Sequence, residues 1–244
     1  MLLEEMTWEE VKKSIQEGCL LIVPIGSIEQ HGPHLPVATD LYSVHEIAKE
    51  ISGKVNALVA PPIYYGYAKS MRAFPGTVSI EGNTLVVLVR DIVKEFIRQG
   101  FNKILVVSGH YENQPFINEA VEIAIEEHPT SDNKVVVTNW WDLIPTHVAR
   151  DIIPGEWQGW EGVHASLAET SLALVLKPEL VRTDRIVDDQ PEERLPYEVF
   201  PVQSDRLPRT GVMSRTKSSS KGIGERLKNE VVNKLLWLIQ KEFS

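Results

Sequence analysis

The chain has 244 residues, 43% of them apolar and 24% charged, a composition that excludes a disordered or fibrous protein and suits one α/β domain spanning 1–244. Its 34 acidic side chains outnumber 25 basic ones for a formal charge of −9, a field that repels nucleic-acid backbones and anionic lipid head groups. The single cysteine, Cys19, excludes an internal disulfide framework and any thiolate-rich metal site, so a reducing, cytoplasmic setting is expected.

The first ten residues are acidic and lack an apolar core, and the longest apolar stretch, 20–25, is far short of a membrane span, so neither a targeting nor a membrane segment is expected. In chain order, helical spacing of apolar side chains predicts a helix over 8–15, and a Leu/Ile/Val run predicts a buried strand over 20–25. The same two patterns then alternate: helix 44–51, strand 57–60, helix 84–98, strand 103–107, helix 114–127, strand 134–138. A helix around 167–176 precedes an arm at about 178–215 that carries Pro178, Pro191, Pro196, Pro201 and Pro208. So long an irregular stretch lines a site or wraps a neighbouring subunit. A closing helix over 224–243 places Leu227, Val231, Leu235 and Leu238 on one face. The βαβα order predicts a single-domain α/β sandwich, a mainly parallel sheet flanked by helices, with ligands beyond the carboxyl ends of the strands.

Polar residues gather at two of those ends. After the first strand the chain reads Gly26-Ser27-Ile28-Glu29-Gln30-His31-Gly32-Pro33-His34, then Thr39-Asp40; after the third it reads Ser108-Gly109-His110-Tyr111-Glu112-Asn113. An acid and a histidine stand two apart in each loop, which sends both side chains to one side of an extended backbone. Adjacent parallel strands lie about 4.8 Å apart, so the loops can converge. Pooled, Glu29, His31, Asp40, His110 and Glu112 offer three carboxylates and two imidazoles, which suit zinc, manganese or iron better than calcium. Five ligands over-supply one ion that keeps a position for water, whereas two ions sharing Asp40 use three each. Each residue also has a plainer reading, Asp40 as a helix cap and Glu112 as an acid at a helix N-terminus. His34, His45, His128 and His147 have no matching acid at useful spacing and read as structural.

A third cluster holds Trp157, Trp160, Glu161, His164 and Glu169. His164, just before a helix, is a candidate proton carrier or a structural histidine. The spacing leaves open whether Glu169 replaces or supplements Glu112 at the metal site. Trp140, Trp141, Trp157 and Trp160 fit a core or a stacking surface for a flat ring equally well.

With these segments in view the sequence resembles the creatininase (creatinine amidohydrolase) family over most of its length. PIGSIEQHGPHLPVATD is similar to that family's first metal motif, SGHYEN to its second and HASLAETS to the helix after its catalytic histidine; 197–202 in the arm resembles creatininase as well. The resemblance implies a cytoplasmic, metal-dependent α/β hydrolase that assembles as a homohexamer, with zinc and/or manganese as cofactors. By position it implies that Glu29 and His110 hold one metal, His31 and Glu112 the other, with Asp40 between them. It implies that His164 is catalytic and that Tyr111, Trp141 and Trp160 bind substrate; Glu112 is a second catalytic candidate, and Glu161 is a candidate to orient the polar edge of the substrate. The activity implied is opening of a small cyclic amide, creatinine or a close analogue. The alternatives are a hydrolase of a cyclic ketone such as a keto-inositol, a formamide deformylase, or a metal-dependent binder without catalysis. This chain departs from the last family motif, Trp-Asp then Glu-His, in reading Trp160-Glu161 and Val163-His164.

Overall fold

The structure is a computed structural model that describes residues 1–128, 132–153, 155, 157, 159–160, 164–190, 199–200 and 206–243. Its elements are α1 (Trp8–Gln16), β1 (Leu20–Ile25), α2 (Thr39–Ser52), β2 (Ala57–Val59), α3 (Gly82–Gln99), β3 (Lys103–Ser108), α4 (Gln114–Glu126), β4 (Lys134–Asn139), α5 (Thr146–Ile152), α6 (Leu167–Leu176) and α7 (Lys221–Phe243). The four strands form one sheet in the order β2-β1-β3-β4, and every pairing is parallel.

Both faces of this sheet are covered, which is why β1 is an unbroken apolar run with all six residues buried. Its side chains divide by alternation. Leu20 and Ile22 join a core with Val44 and Ile47 of α2, Leu167 and Leu172 of α6 and Leu227 and Leu235 of α7. Leu21, Val23 and Ile25 join the opposite core with Leu85, Val89 and Val93 of α3 and Ile117 and Ala120 of α4. The result is the three-layer sandwich expected from the βαβα pattern. No helix among the described residues is long and apolar enough to cross a membrane.

Three features depart from the sequence reading. The second helix starts at Thr39 rather than near 44, so Asp40 lies in its first turn instead of in a loop, where a carboxylate is favoured by the helix dipole. A short helix, α5, follows Pro145; seven residues are too few to display a period. The arm opens with 3-10 turns at Pro178–Leu180 and Thr183–Arg185, while 191–198 and 201–205 in its middle lie outside the described residues.

Candidate metal centre

Register brings the two strand-end loops together. Ile25 pairs with Ser108 across β1 and β3, so Gly26 and Gly109 leave the sheet side by side, and the Gly109 N–H donates to the Ile25 carbonyl at 2.9 Å. The first turn of α2 presses on both glycines. A Cβ at Gly26 would sit 2.5 Å from Leu41 Cα, and one at Gly109 would sit 2.2 Å from the Asp40 carbonyl oxygen. Only glycine permits this approach, and it carries the Asp40 carboxylate between the loops. Asn113 ties the same edge: its amide donates to the Gly26 carbonyl at 2.9 Å and accepts from the Tyr67 N–H at 2.9 Å.

Asp40 faces an imidazole with each oxygen. Oδ1 lies 3.0 Å from His31 Nε2, and Oδ2 lies 3.0 Å from His110 Nδ1; Ser27 donates to Oδ2 at 2.6 Å. Both rings are oriented by backbone carbonyls, which can only accept. His31 Nδ1 donates to the Glu29 carbonyl at 3.0 Å, and His110 Nε2 donates to the Tyr67 carbonyl at 2.8 Å. His31 Nε2 and His110 Nδ1 are left facing the cluster, the nitrogens that would ligate a metal once they give up a proton.

Two triads result, each with ligand atoms within 4.8 Å of one another: Glu29, Asp40 and His110, and His31, Asp40 and Glu169. Asp40 belongs to both. A third grouping joins Glu29, His31 and His164. Glu112, expected beside His31, belongs to none of these. The 3-10 turn at Tyr111–Asn113 sends its carboxylate to the Nε2 side of the His110 ring, 3.7 Å from that atom and away from Nδ1, where Ser70 donates to it at 2.9 Å. Glu169 occupies the place expected of Glu112. Its Oε2 accepts from the Ser166 N–H at 2.8 Å in the capping box that starts α6, and its Oε1 lies 3.8 Å from His31 Nε2.

His164 stacks at 4.2 Å, centroid to centroid, on the His31 ring. Its Nε2 donates to the Gln30 carbonyl, and its Nδ1 lies 3.6 Å from Glu29 Oε2. The next residue, Ala165, adopts a left-handed φ of +50°, which costs a non-glycine residue about 1 to 2 kcal/mol.

The electrostatics call for cations. Burial lifts Glu29 to about 8, with His110 opposing and Asp40 adding to the rise. Burial also pushes Asp40 upward, but His31 and His110 outweigh it and hold the carboxyl far below its usual range. Burial disfavours charge on His31 and His110, yet Asp40 and Glu169 around the first, and Glu29, Asp40 and Glu112 around the second, raise both well above an ordinary imidazole. His164 moves the other way, lowered to about 4 by burial and then by His31, so it is neutral at pH 7. Glu29 Oε2 is buried and has no hydrogen-bond partner among the described residues. Buried carboxylates need compensating charge, and this mixed oxygen and nitrogen set fits two divalent cations sharing Asp40.

The aromatic residues divide. Trp140 and Trp141 follow β4 at the same sheet edge and belong to the core, with Trp157 and Trp160 packed on it; edge-on contacts link Trp140 to Trp141 at 5.3 Å and to Trp160 at 5.4 Å. The Trp160 Nε1 is buried without a hydrogen-bond partner among the described residues. Tyr111 is 55% exposed. Glu161 lies outside the described residues. His34, read as structural, is buried with Nε2 paired to the Thr170 hydroxyl at 2.8 Å.

The family model for creatinine amidohydrolase, Creatininase, matches residues 4–239. The chain belongs to the creatininase family. It is similar to the creatinine amidohydrolase of Pseudomonas putida, 36% identical over 249 residues that cover 98% of this chain and 96% of that protein. It is 28% identical over 197 residues to the 3-dehydro-scyllo-inosose hydrolase of Thermotoga maritima, covering 79% and 61%. Among solved structures, a creatininase crystal structure superposes with a TM-score of 0.94 at 35% identity, covering 99% of this chain and 97% of that one. A manganese form of creatininase superposes at 0.93 and 35%, covering 99% and 98%, and a mutant described as the zinc–zinc type at 0.94 and 36%, covering 99% and 98%. Within this creatininase fold, sequence reasoning passed over the carbonyls of Tyr67 and Gln30 and the hydroxyls of Ser27 and Ser70; backbone acceptors and lone serines leave no pattern in a sequence. Glu169 did leave one, the Ser166-x-x-Glu169 capping box.

Proposed function

We propose that this chain hydrolyses a small cyclic amide, creatinine or a close analogue, at a centre of two divalent cations, zinc and/or manganese. Glu29, Asp40 and His110 hold one cation, and His31, Asp40 and Glu169 hold the other. When bound, such a pair makes water a nucleophile at neutral pH and polarises the carbonyl under attack. The chain's own residues do the rest. Asp40 fixes the spacing between the triads by facing each imidazole with a separate oxygen. His164, with Nδ1 3.6 Å from Glu29 Oε2, takes up at Nδ1 the proton given up by the attacking water and delivers it to the leaving nitrogen. Trp160 offers its indole N–H, unpaired among the described residues, and, with Trp141 and Tyr111, clamps the ring and excludes water; Glu161 orients its polar edge.

The observation that carries this reading is the His164 imidazole, stacked on His31, beside two triads that share one aspartate. The similarity to the Pseudomonas putida creatinine amidohydrolase supports the choice of substrate. Val163, where the family motif has an acid, favours a keto-inositol as the second substrate to try, because ring opening of a ketone releases no amine. Purified protein, stripped of metal and reloaded with zinc or manganese, is expected to open creatinine with a higher kcat/KM than a keto-inositol or a formamide. Turnover of either alternative with creatinine untouched would overturn the cyclic-amide assignment. His164→Ala should lower kcat by about 100- to 10,000-fold while retaining both metals, and normal turnover would remove His164 from the reaction. We also propose a cytoplasmic homohexamer, to be checked by light scattering on the eluted protein.

A further inference from the structure

The hydrogen bonds around His164 continue into the stretch where the chain returns from the proline-rich arm. The Met213 N–H donates to the His164 carbonyl at 2.9 Å. The fully buried Thr216 hydroxyl lies 3.1 Å from the Ala165 carbonyl, to which it donates, and 3.3 Å from the Ser214 carbonyl. Gln30, whose carbonyl accepts from the His164 ring, is held by the same stretch, its side-chain amide donating to the Gly211 carbonyl at 2.9 Å. Thr216 is itself fastened: its N–H and that of Lys217 both donate to Asp188 Oδ1, at 2.6 and 2.8 Å. Asp189 accepts from the Thr210 hydroxyl at 2.7 Å and pairs with Ser214. The two ends of the arm are thereby joined to each other and to the His164–Ala165 backbone.

Ala165 is the one point in this network that departs from a relaxed backbone. It has no exposed surface and a φ of +50°, a conformation that a residue with a Cβ keeps only where its surroundings enforce it. On its far side the backbone cannot give, because the Ser166–Glu169 capping box fixes the start of α6 and α6 packs on α7. Relaxation at Ala165 would therefore be taken up by His164, whose ring makes one hydrogen bond among the described residues.

We propose that Thr216, anchored by Asp188, is a positioning residue for His164: its hydroxyl holds Ala165 in the left-handed conformation that sets the His164 ring between the Gln30 carbonyl and Glu29. The kinetic part of this inference rests on His164 as the proton carrier proposed above; the structural part does not. A plain staple for the base of the arm would affect folding stability alone.

The test uses the zinc-loaded enzyme, which is diamagnetic, and compares Thr216→Val, of the same shape without the hydroxyl, with Thr216→Ser, which keeps it. Thr216→Val should lower kcat about tenfold or more with KM and metal content unchanged, and Thr216→Ser should restore most of that loss. In imidazole nitrogen spectra, the His164 Nε2–H signal should be present in the parent and Thr216→Ser and broadened or lost in Thr216→Val. Should Thr216→Val fail to fold, Asp188→Ala reports on the same anchor and should show a smaller loss of kcat and the same spectral change. Parental kcat with an intact His164 signal in the folded hydroxyl-free or anchor-free variant overturns the proposal, as does an equal loss in Thr216→Ser. If the parent opens none of the substrates, the functional reading fails but the spectra still decide, because an undisturbed His164 signal in Thr216→Val excludes the positioning role.

Discussion

The site is built from two regions that are held in different ways. Glu29, His31, Asp40 and His110 come from the ends of β1 and β3 and the first turn of α2, buried and set by strand register and by glycines that admit no other residue. His164 and Glu169 come from the start of α6, with no strand beneath them. They are held by a helix cap, a single carbonyl on the His164 ring and the chain returning at 213–216. The first region is close-packed around those glycines, with its hydrogen bonds laid over that packing. The second is a set of hydrogen bonds, each removable at constant volume. Damage to the first should therefore abolish the centre, while damage to the second should degrade it by steps.

The sharpest break falls on the residue common to both triads. Asp40→Ala should cost both metals by elemental analysis and lower kcat/KM about a thousandfold or more, since several kcal/mol of charge stabilisation is lost; retention of either metal would mean the triads do not share Asp40. Next comes the pair of glutamates. Glu169→Gln should weaken one of the two metals about 10- to 100-fold in a competition titration, while Glu112→Gln should keep both. The reverse result would return Glu112 to the place beside His31 and demote the α6 cap to a structural role.

A smaller effect is expected from Gly109→Ala, whose Cβ would meet the Asp40 carbonyl oxygen at 2.2 Å. Overpacking of this kind costs about 1 to 3 kcal/mol, read as a drop of several degrees in Tm. An unchanged Tm would show that the packing under Asp40 is looser than described. The mildest test is the proton count on loading. In the metal-free protein, His31 and His110 are raised well above an ordinary imidazole and Glu29 stands near about 8, so at pH 7 these groups hold protons that cations must displace. Metal affinity should rise with pH through the range in which Glu29, at about 8, and the two imidazoles give up their protons. Calorimetry in buffers of different ionisation heat should detect proton release on zinc binding, and none released would overturn the assigned charge states.

Much of the first region can be read directly from residues 20–40 and 103–113. An apolar run of six marks a strand covered on both faces, and a histidine two positions from an acid at two such strand ends marks convergence, because parallel neighbours end together. The second region is less legible. Glu112 and Glu169 are both acids close to a histidine, and choosing between them depends on a 3-10 turn at Tyr111–Asn113 that points one carboxylate at Ser70 and on a capping box that turns the other towards His31. The early start of α2 was hidden for a related reason: Thr39 and Asp40 are polar yet buried, so apolar periodicity does not reach them.

The order of residues by itself determined the layered α/β architecture, the four strands, the loops that bear the metal-binding side chains and the family, since each rests on spacing within a short window of chain. Only the tertiary structure decided which carboxylate stands beside His31, which imidazole nitrogen faces the cations and how His164 is held. Those outcomes depend on backbone carbonyls and on partners far apart in the chain, such as Gln30 and His164, 134 residues apart, and no local pattern records what distant backbone will be adjacent once the chain has packed.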